Sequence, residues 1–156
     1  MENRMSIQIN FDKHCKEGNE WLLEIGDRAG FPDRTDWSYG CLRAVLHTLR
    51  DRTTIEEVFQ LSAQLPVLIR GILFEGYKPS GKPEKLNAEE FMSRIKKDLG
   101  NANPISANDA FRVIIELLYD RTTTGEMDDI RGQMPKAIQQ IWDKYRPLEM
   151  EDDWDE

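Results

Sequence analysis

The stretch RDRTTIEEVFQLSAQLP, residues 50–66, decides the fold, because the chain writes it again as YDRTTTGEMDDIRGQMP at residues 119–135, 69 positions later and without a gap. Asp51/Asp120, Arg52/Arg121, Thr53/Thr122, Thr54/Thr123, Glu57/Glu126, Gln64/Gln133 and Pro66/Pro135 are identical between the copies. Thr54 with Glu57, and Thr123 with Glu126, have the T-x-x-E form in which the hydroxyl caps a helix and the glutamate reaches back to the cap N–H. Asp51 and Asp120 end the preceding helix, where the dipole disfavours a negative charge. Each therefore requires a compensating bond, either an Asx turn onto the threonines or a pair with the neighbouring Arg52 or Arg121. Pro66 and Pro135 close one helix and open the next. The repeated motif reads as a structural turn, cap and break.

Working outward, the apolar positions on both sides recur with helical period. Phe11, Cys15, Trp21, Leu22, Ile25 and Ala29 propose a first helix, stopped by Gly30 and Pro32. Leu42, Val45, Leu46 and Leu49 give the i, i+3, i+4, i+7 stripe of a second. Ile55, Val58, Phe59 and Ser62 mark a third, and Leu68, Ile69, Ile72 and Leu73 a fourth. Asn87 and Glu90 form a capping-box pattern ahead of Phe91, Met92, Ile95 and Leu99. Phe111, Ile114, Ile115 and Leu118 then echo the second helix, and Met134, Ala137, Ile138, Ile141 and Trp142 the fourth. The expected architecture is all-α: one domain made of two tandem, internally duplicated units of about four helices each. Two copies are too few for an open solenoid, so the units should share one core. The expected boundaries are a flexible N-terminus at 1–10, a duplicated helical domain at 11–147, and an acidic, disordered tail at 148–156. Within the domain, the first repeat spans about 11–79, the turn-rich linker 80–86 and the second repeat about 87–147.

At 156 residues the chain has the size of a single domain, and its 32% charged and 39% apolar residues suit a soluble helical protein. The net charge is −8, but six acids stand among the last eight residues and the remainder carries only −2. Duplex binding calls for a basic domain, so nucleic acid is not expected as a partner. Cys15 and Cys41 lack the spacing of a disulfide framework, the N-terminus lacks a signal-peptide core, and no apolar run is long enough for a span. A cytoplasmic location and no membrane association are expected.

A duplicated fold needs its shared residues twice, so one-sided features direct the search for function. Arg43, His47 and Arg50 form a basic stripe where the other copy has Arg112, Glu116 and Tyr119. Arg70, Gly71, Glu75, Gly76 and Tyr77 lack counterparts, and Gly71 within a helix suggests a close backbone approach. The candidate binding face is therefore Arg43, His47, Arg50, Arg70, Glu75 and Tyr77. In the tail, Trp154 among acids is a candidate docking element. With His14 and His47 the only histidines, and no metalloprotease, nucleophile-elbow or phosphate-loop motif, no catalytic residue, metal site or cofactor is expected.

The segments LRAVLHTLRDR (Leu42 to Arg52), AQLPVLIRG (Ala63 to Gly71), EGYKPSGKP (Glu75 to Pro83) and GEMDDIRGQMPKAIQQIW (Gly125 to Trp142) carry a resemblance. The chain resembles the bacterial family known as domain of unknown function 2267, from about Phe11 to Trp142. The resemblance implies an all-helical duplicated domain in a bacterial protein and brings no activity, cofactor or catalytic residue with it. The expected function is that of a non-enzymatic protein-interaction or regulatory protein with an unknown protein partner. The second reading is an anion- or small-molecule-binding module at the junction of the repeats, lined by Arg43, His47, Arg50 and Arg70.

Overall fold

The computed structural model describes residues 2–148, with side chains from Asn10 onward. The described residues form eight α-helices and no strand: α1 (Glu2–Ala29), α2 (Thr35–Arg52), α3 (Ile55–Ala63), α4 (Val67–Phe74), α5 (Ala88–Leu99), α6 (Ala107–Arg121), α7 (Thr124–Gly132) and α8 (Lys136–Asp143). They enclose one hydrophobic core and form a single domain.

The core is built around α2 and α6. The stripe Leu42, Val45, Leu46 and Leu49 is buried, and so is most of α2 on its other faces, from Cys41 to Asp51. A helix apolar on one stripe but buried all round must be enclosed by neighbours; α2 is packed by α1, α4, α5 and α6. Helix α6 meets α1, α2, α5 and α7, and buries Phe111, Ile114, Ile115 and Leu118 as expected. The short helices α3 and α7 touch each other, so the two motif copies meet directly.

Several expectations are corrected. Helix α1 begins at Glu2, ahead of Phe11 where the first helix was expected to start; Glu, Arg, Met and Gln are good helix formers. Phe11 and Cys15, assigned to its apolar stripe, are exposed. Burial begins at Gly18, where a Cβ would lie 3.1 Å from Leu68 Cδ1 of α4. At Gly26 a Cβ would lie 3.0 Å from the Phe31 carbonyl oxygen, so these two glycines admit neighbours that a side chain would push away. Gly71, by contrast, has nothing within 4 Å of a Cβ position, and the close approach expected there is absent. In α3 and α4, Ile55 and Phe59 face out, as does Ala137 of α8, and Leu68 lies over Gly18 with its remaining surface exposed; the buried stripe is Val58, Leu61, Ile69 and Leu73. A short helix lying on a core covers it with one narrow face, which excludes the flanking positions.

The segment expected as a linker is docked. Glu84 N–H donates to the Asp51 carbonyl at 2.7 Å, Lys82 Nζ pairs with the Asp51 carboxylate at 3.7 Å and Glu84 at 3.3 Å, and Leu86 is buried. The chain between α4 and α5 thus lies across the C-terminal end of α2. The expected capping box of α5 is present, with Glu90 N–H donating to Asn87 Oδ1 at 2.8 Å and Asn87 N–H to Glu90 Oε1 at 3.2 Å.

Candidate functional site

The repeated motif builds a reciprocal junction. Glu57 N–H donates to Thr54 Oγ1, and Glu126 N–H to Thr123 Oγ1, each at 3.3 Å, so both threonines cap as expected. The glutamates do not complete the capping boxes. Instead, Thr54 N–H donates to Gln133 Oε1 at 2.7 Å and Thr123 N–H to Gln64 Oε1 at 2.8 Å. Each copy's glutamine therefore takes the cap N–H of the other copy, which leaves Glu57 and Glu126 without that role.

Both glutamates are instead buried, Glu57 at 7% and Glu126 at 6% exposure, and they converge with the exposed Asp129. One carboxylate oxygen from each of the three lies within 4.8 Å of the others. None of the ion pairs among the described residues reaches them, and Glu126 Oε1 is buried without a hydrogen-bond partner. Two ionised carboxylates about 5 Å apart repel by roughly 3 kcal/mol at an effective dielectric near 20. Accordingly, burial, then the charges of Glu57 and Asp129, push the Glu126 carboxyl up to about 7. Burial, then Asp129 and Glu56, raise Glu57 as well. The clue in the sequence was the Glu57/Glu126 identity; local capping explained it there, because the glutamines that replace that role stand 79 and 59 residues from the caps they take. Asp129, where the first copy has Gln60, gave no signal.

The sequence-derived binding face turns out to close helix ends. Arg50 Nη1 donates to the carbonyls of Leu73 (2.8 Å) and Glu75 (2.9 Å), its Nε donates to Asp51 Oδ1 (3.0 Å), and its guanidinium lies 5.1 Å from the centre of the Tyr77 ring. His47 Nε2 lies 2.7 Å from the Ile72 carbonyl oxygen, which can only accept, so that nitrogen carries the proton. Burial lowers the His47 pKa. Arg43 pairs with Glu75 at 3.6 Å. Arg70 stands apart from these, donating to the Ser62 carbonyl at 2.8 Å and the Leu65 carbonyl at 3.0 Å at the end of α3. Cationic side chains are the natural partners of the orphan carbonyls at a helix C-terminus. Arg50 and His47 are nearly fully buried and form no exposed anion-binding stripe.

The aspartates find partners other than those expected. Asp51 pairs with Arg50, Lys82 and, at 3.5 Å, Arg94, while Arg52 donates to the Leu86 carbonyl at 3.0 Å. Asp120 pairs with Arg28 of α1, and Arg121 with Glu24 of the same helix. The compensation for a negative charge at a helix end thus comes from the adjacent Arg50 at Asp51 and otherwise from distant segments. Pro66 and Pro135 occupy the cap positions of α4 and α8. Trp154 lies outside the described residues.

No helix among the described residues is long and apolar enough to cross a membrane. No curated protein matches the chain. The turn-and-break motif, the docked EGYKPSGKP segment, α7 and most of α8 fall within residues 18–141, which match the family model described as uncharacterized conserved protein (DUF2267), and the chain belongs to that family.

Proposed function

We propose that the protein is a non-enzymatic interaction or regulatory protein of a reducing, cytoplasmic compartment, built by internal duplication of a four-helix unit, and that it docks a partner protein on the outer face of α3 and α4. The reciprocal glutamine contacts support the duplication, since each copy completes the other's cap. The free thiols Cys15 and Cys41 fit the compartment.

The observation that carries the docking surface is a difference between corresponding positions. Ile55, Phe59, Val67 and Leu68 are exposed by 38 to 58%. Their counterparts 69 residues on are Thr124, Asp128, Lys136 and Ala137. The same positions are thus apolar in one copy and mostly polar in the other, although both copies leave them outside the core. Exposed apolar side chains grouped on one pair of helices mark an interaction face. Phe59 stands against Phe74 with ring centres 5.5 Å apart, a preformed aromatic step. The net charge is −8, six of it in residues 149–156 and −2 in the remainder, which favours a partner whose apolar patch has a basic rim.

The junction of the copies does not suit an anion, because the groups that converge there are carboxylates. The test is to replace the face with the other copy's residues: Ile55→Thr, Phe59→Asp, Val67→Lys and Leu68→Ala together. Cross-linked complexes purified from cells should contain a partner with the native chain and lose it with the variant, while Tm changes by no more than a few degrees. Equal recovery with both chains, or no partner with the native one, would overturn the proposal.

A further inference from the structure

We propose that Glu57, Glu126 and Asp129 form a binding site for one hard divalent cation at the contact between α3 and α7. The site is independent of the apolar face, and none of its residues is needed there.

The donor set comes first. Three carboxylate oxygens converge to within 4.8 Å of one another. Oxygens bound to one Ca²⁺ at about 2.3–2.6 Å lie at most about 5 Å apart, so the three can close on a single ion with small side-chain movements. The set holds oxygen alone, with no nitrogen or sulfur, which selects Ca²⁺, Mg²⁺ or Mn²⁺ over zinc or copper. Two donors are buried and the third, Asp129, is exposed. A hydrated ion could therefore enter past Asp129 and keep water on its outer side.

A second observation is separate from the convergence. Glu126 is more than nine-tenths buried, and its Oε1 has no hydrogen-bond partner. A buried carboxylate oxygen is rarely left without a donor, because its desolvation is then uncompensated. Here the groups facing it are Glu57 and Asp129, which supply negative charge and no donor. Elsewhere in the molecule buried or half-buried acids have cations beside them: Asp51 has Arg50, Lys82 and Arg94, and Asp128 has Arg146. Glu57, Glu126 and Asp129 have none among the described residues, and a divalent ion supplies the missing charge.

The scaffold is also preorganised. Glu57 and Glu126 both sit three residues into their helices, where the dipole favours the ionised form. The caps that fix those helix starts are tied across the junction by Gln64 and Gln133. Capping-box geometry would have turned each glutamate back on its own helix; the glutamine exchange frees both to point at one place.

The experiment uses the full chain, stripped with chelator and returned to metal-free buffer at about pH 8, where the carboxyls are ionised. CaCl₂, MgCl₂ and MnCl₂ are titrated separately, by calorimetry and by thermal unfolding, into the native chain and the variants Glu126→Gln, Asp129→Asn and Glu56→Gln. The native chain should bind one ion, and a hundred-fold excess over Kd should raise Tm by roughly 5–10 °C. Asp129→Asn should weaken binding about ten-fold or more, Glu126→Gln should abolish the shift, and Glu56→Gln, an acid beside the cluster, should keep it. Glutamine is nearly isosteric, and Tm in chelator confirms that the variant folds. Two results would overturn the proposal: no binding of any of the three ions by the native chain up to about 10 mM, or a shift of equal size in Glu126→Gln, which would place the ion elsewhere.

Discussion

The C-terminal end of α4 and that of α8 occupy corresponding positions in the two copies, yet they are closed by different chemistry. At α4, buried cations meet backbone carbonyls: Arg50 holds Leu73 and Glu75, and His47 holds Ile72. At α8, the counterpart of Arg50 is Tyr119, whose hydroxyl accepts from Trp142 Nε1 at 2.7 Å and donates to Asp128 at 2.9 Å. Asp128 in turn is held by Arg146, at 3.2 and 3.1 Å. Where the first copy has Leu73, the second has Trp142, and the added ring packs edge-on against Phe111 and Tyr119. Arg70 and Gln139 show the same relation at the ends of α3 and α7, both donating to a carbonyl, with a charged side chain in one copy and a neutral amide in the other. A helix end demands that its carbonyls or its packing be satisfied, and it does not dictate by which residue. Differences between the copies are therefore not in themselves marks of function: the basic stripe was one-sided because one copy uses charge where the other uses aromatic volume.

The most severe way to break this comparison is Arg50→Ala, which leaves the buried Leu73 carbonyl, the part-buried Glu75 carbonyl and part of the Asp51 charge unpartnered. A loss of about 3–4 kcal/mol is expected in denaturant unfolding. Tyr119→Phe in the other copy keeps the ring packing and removes only the hydroxyl, so it should cost less, about 1–2 kcal/mol, chiefly from the orphaned Trp142 N–H. If the two losses prove equal, the cationic closure is no stronger than the aromatic one.

Between these in size stands Glu126→Gln, which probes the region where the copies agree. In ion-free protein the folded-state pKa of Glu126, about 7, lies above the ordinary glutamate value of 4.5. The folded state then binds more protons at this group than the unfolded state, so the contribution of Glu126 to stability is fully present below about pH 4.5 and is lost as pH rises through 7. The glutamine variant should thus be more stable than the native chain by about 2 kcal/mol near pH 8, with the difference vanishing near pH 4. A difference independent of pH would show that the carboxylate charge is not its source. The smallest effect belongs to the glutamine exchange. Gln64→Ala and Gln133→Ala should each cost about 0.5–1 kcal/mol, because the contacts are exposed and water can replace them. Equal costs would sharpen the picture of a reciprocal junction, whereas a cost confined to one variant would break it.

Helix existence and order were legible because the apolar spacing and the turn chemistry agree at each element. Asn87/Glu90 capped α5 in the expected form, and Thr54 and Thr123 cap α3 and α7. The exposed side of α3 and α4 was misjudged at Ile55, Phe59 and Leu68, since a stripe of four apolar residues does not say which of them flank the contact. The start of α1 was missed because a polar sequence without a burial pattern gives no period to read. The carboxylate cluster was illegible for a different reason: Glu57 stands 69 residues before Glu126 in the chain, and a local rule accounted for both.

What the sequence determined by itself is the set of positions that local physics constrains: caps, proline breaks, the buried stripes of α2 and α6, and the doubled motif. These depend on residues within a turn or two of one another, so neighbouring letters suffice. Only the tertiary structure decided that Gln64 and Gln133 would trade caps, that Arg50 would close α4 rather than face solvent, and that Glu57 and Glu126 would meet. Those outcomes depend on which helix ends are brought together across the core. That is set by the packing of α3 against α7 and of α2 against α4, whose partners lie far apart in the chain or, for α4, beyond an intervening helix.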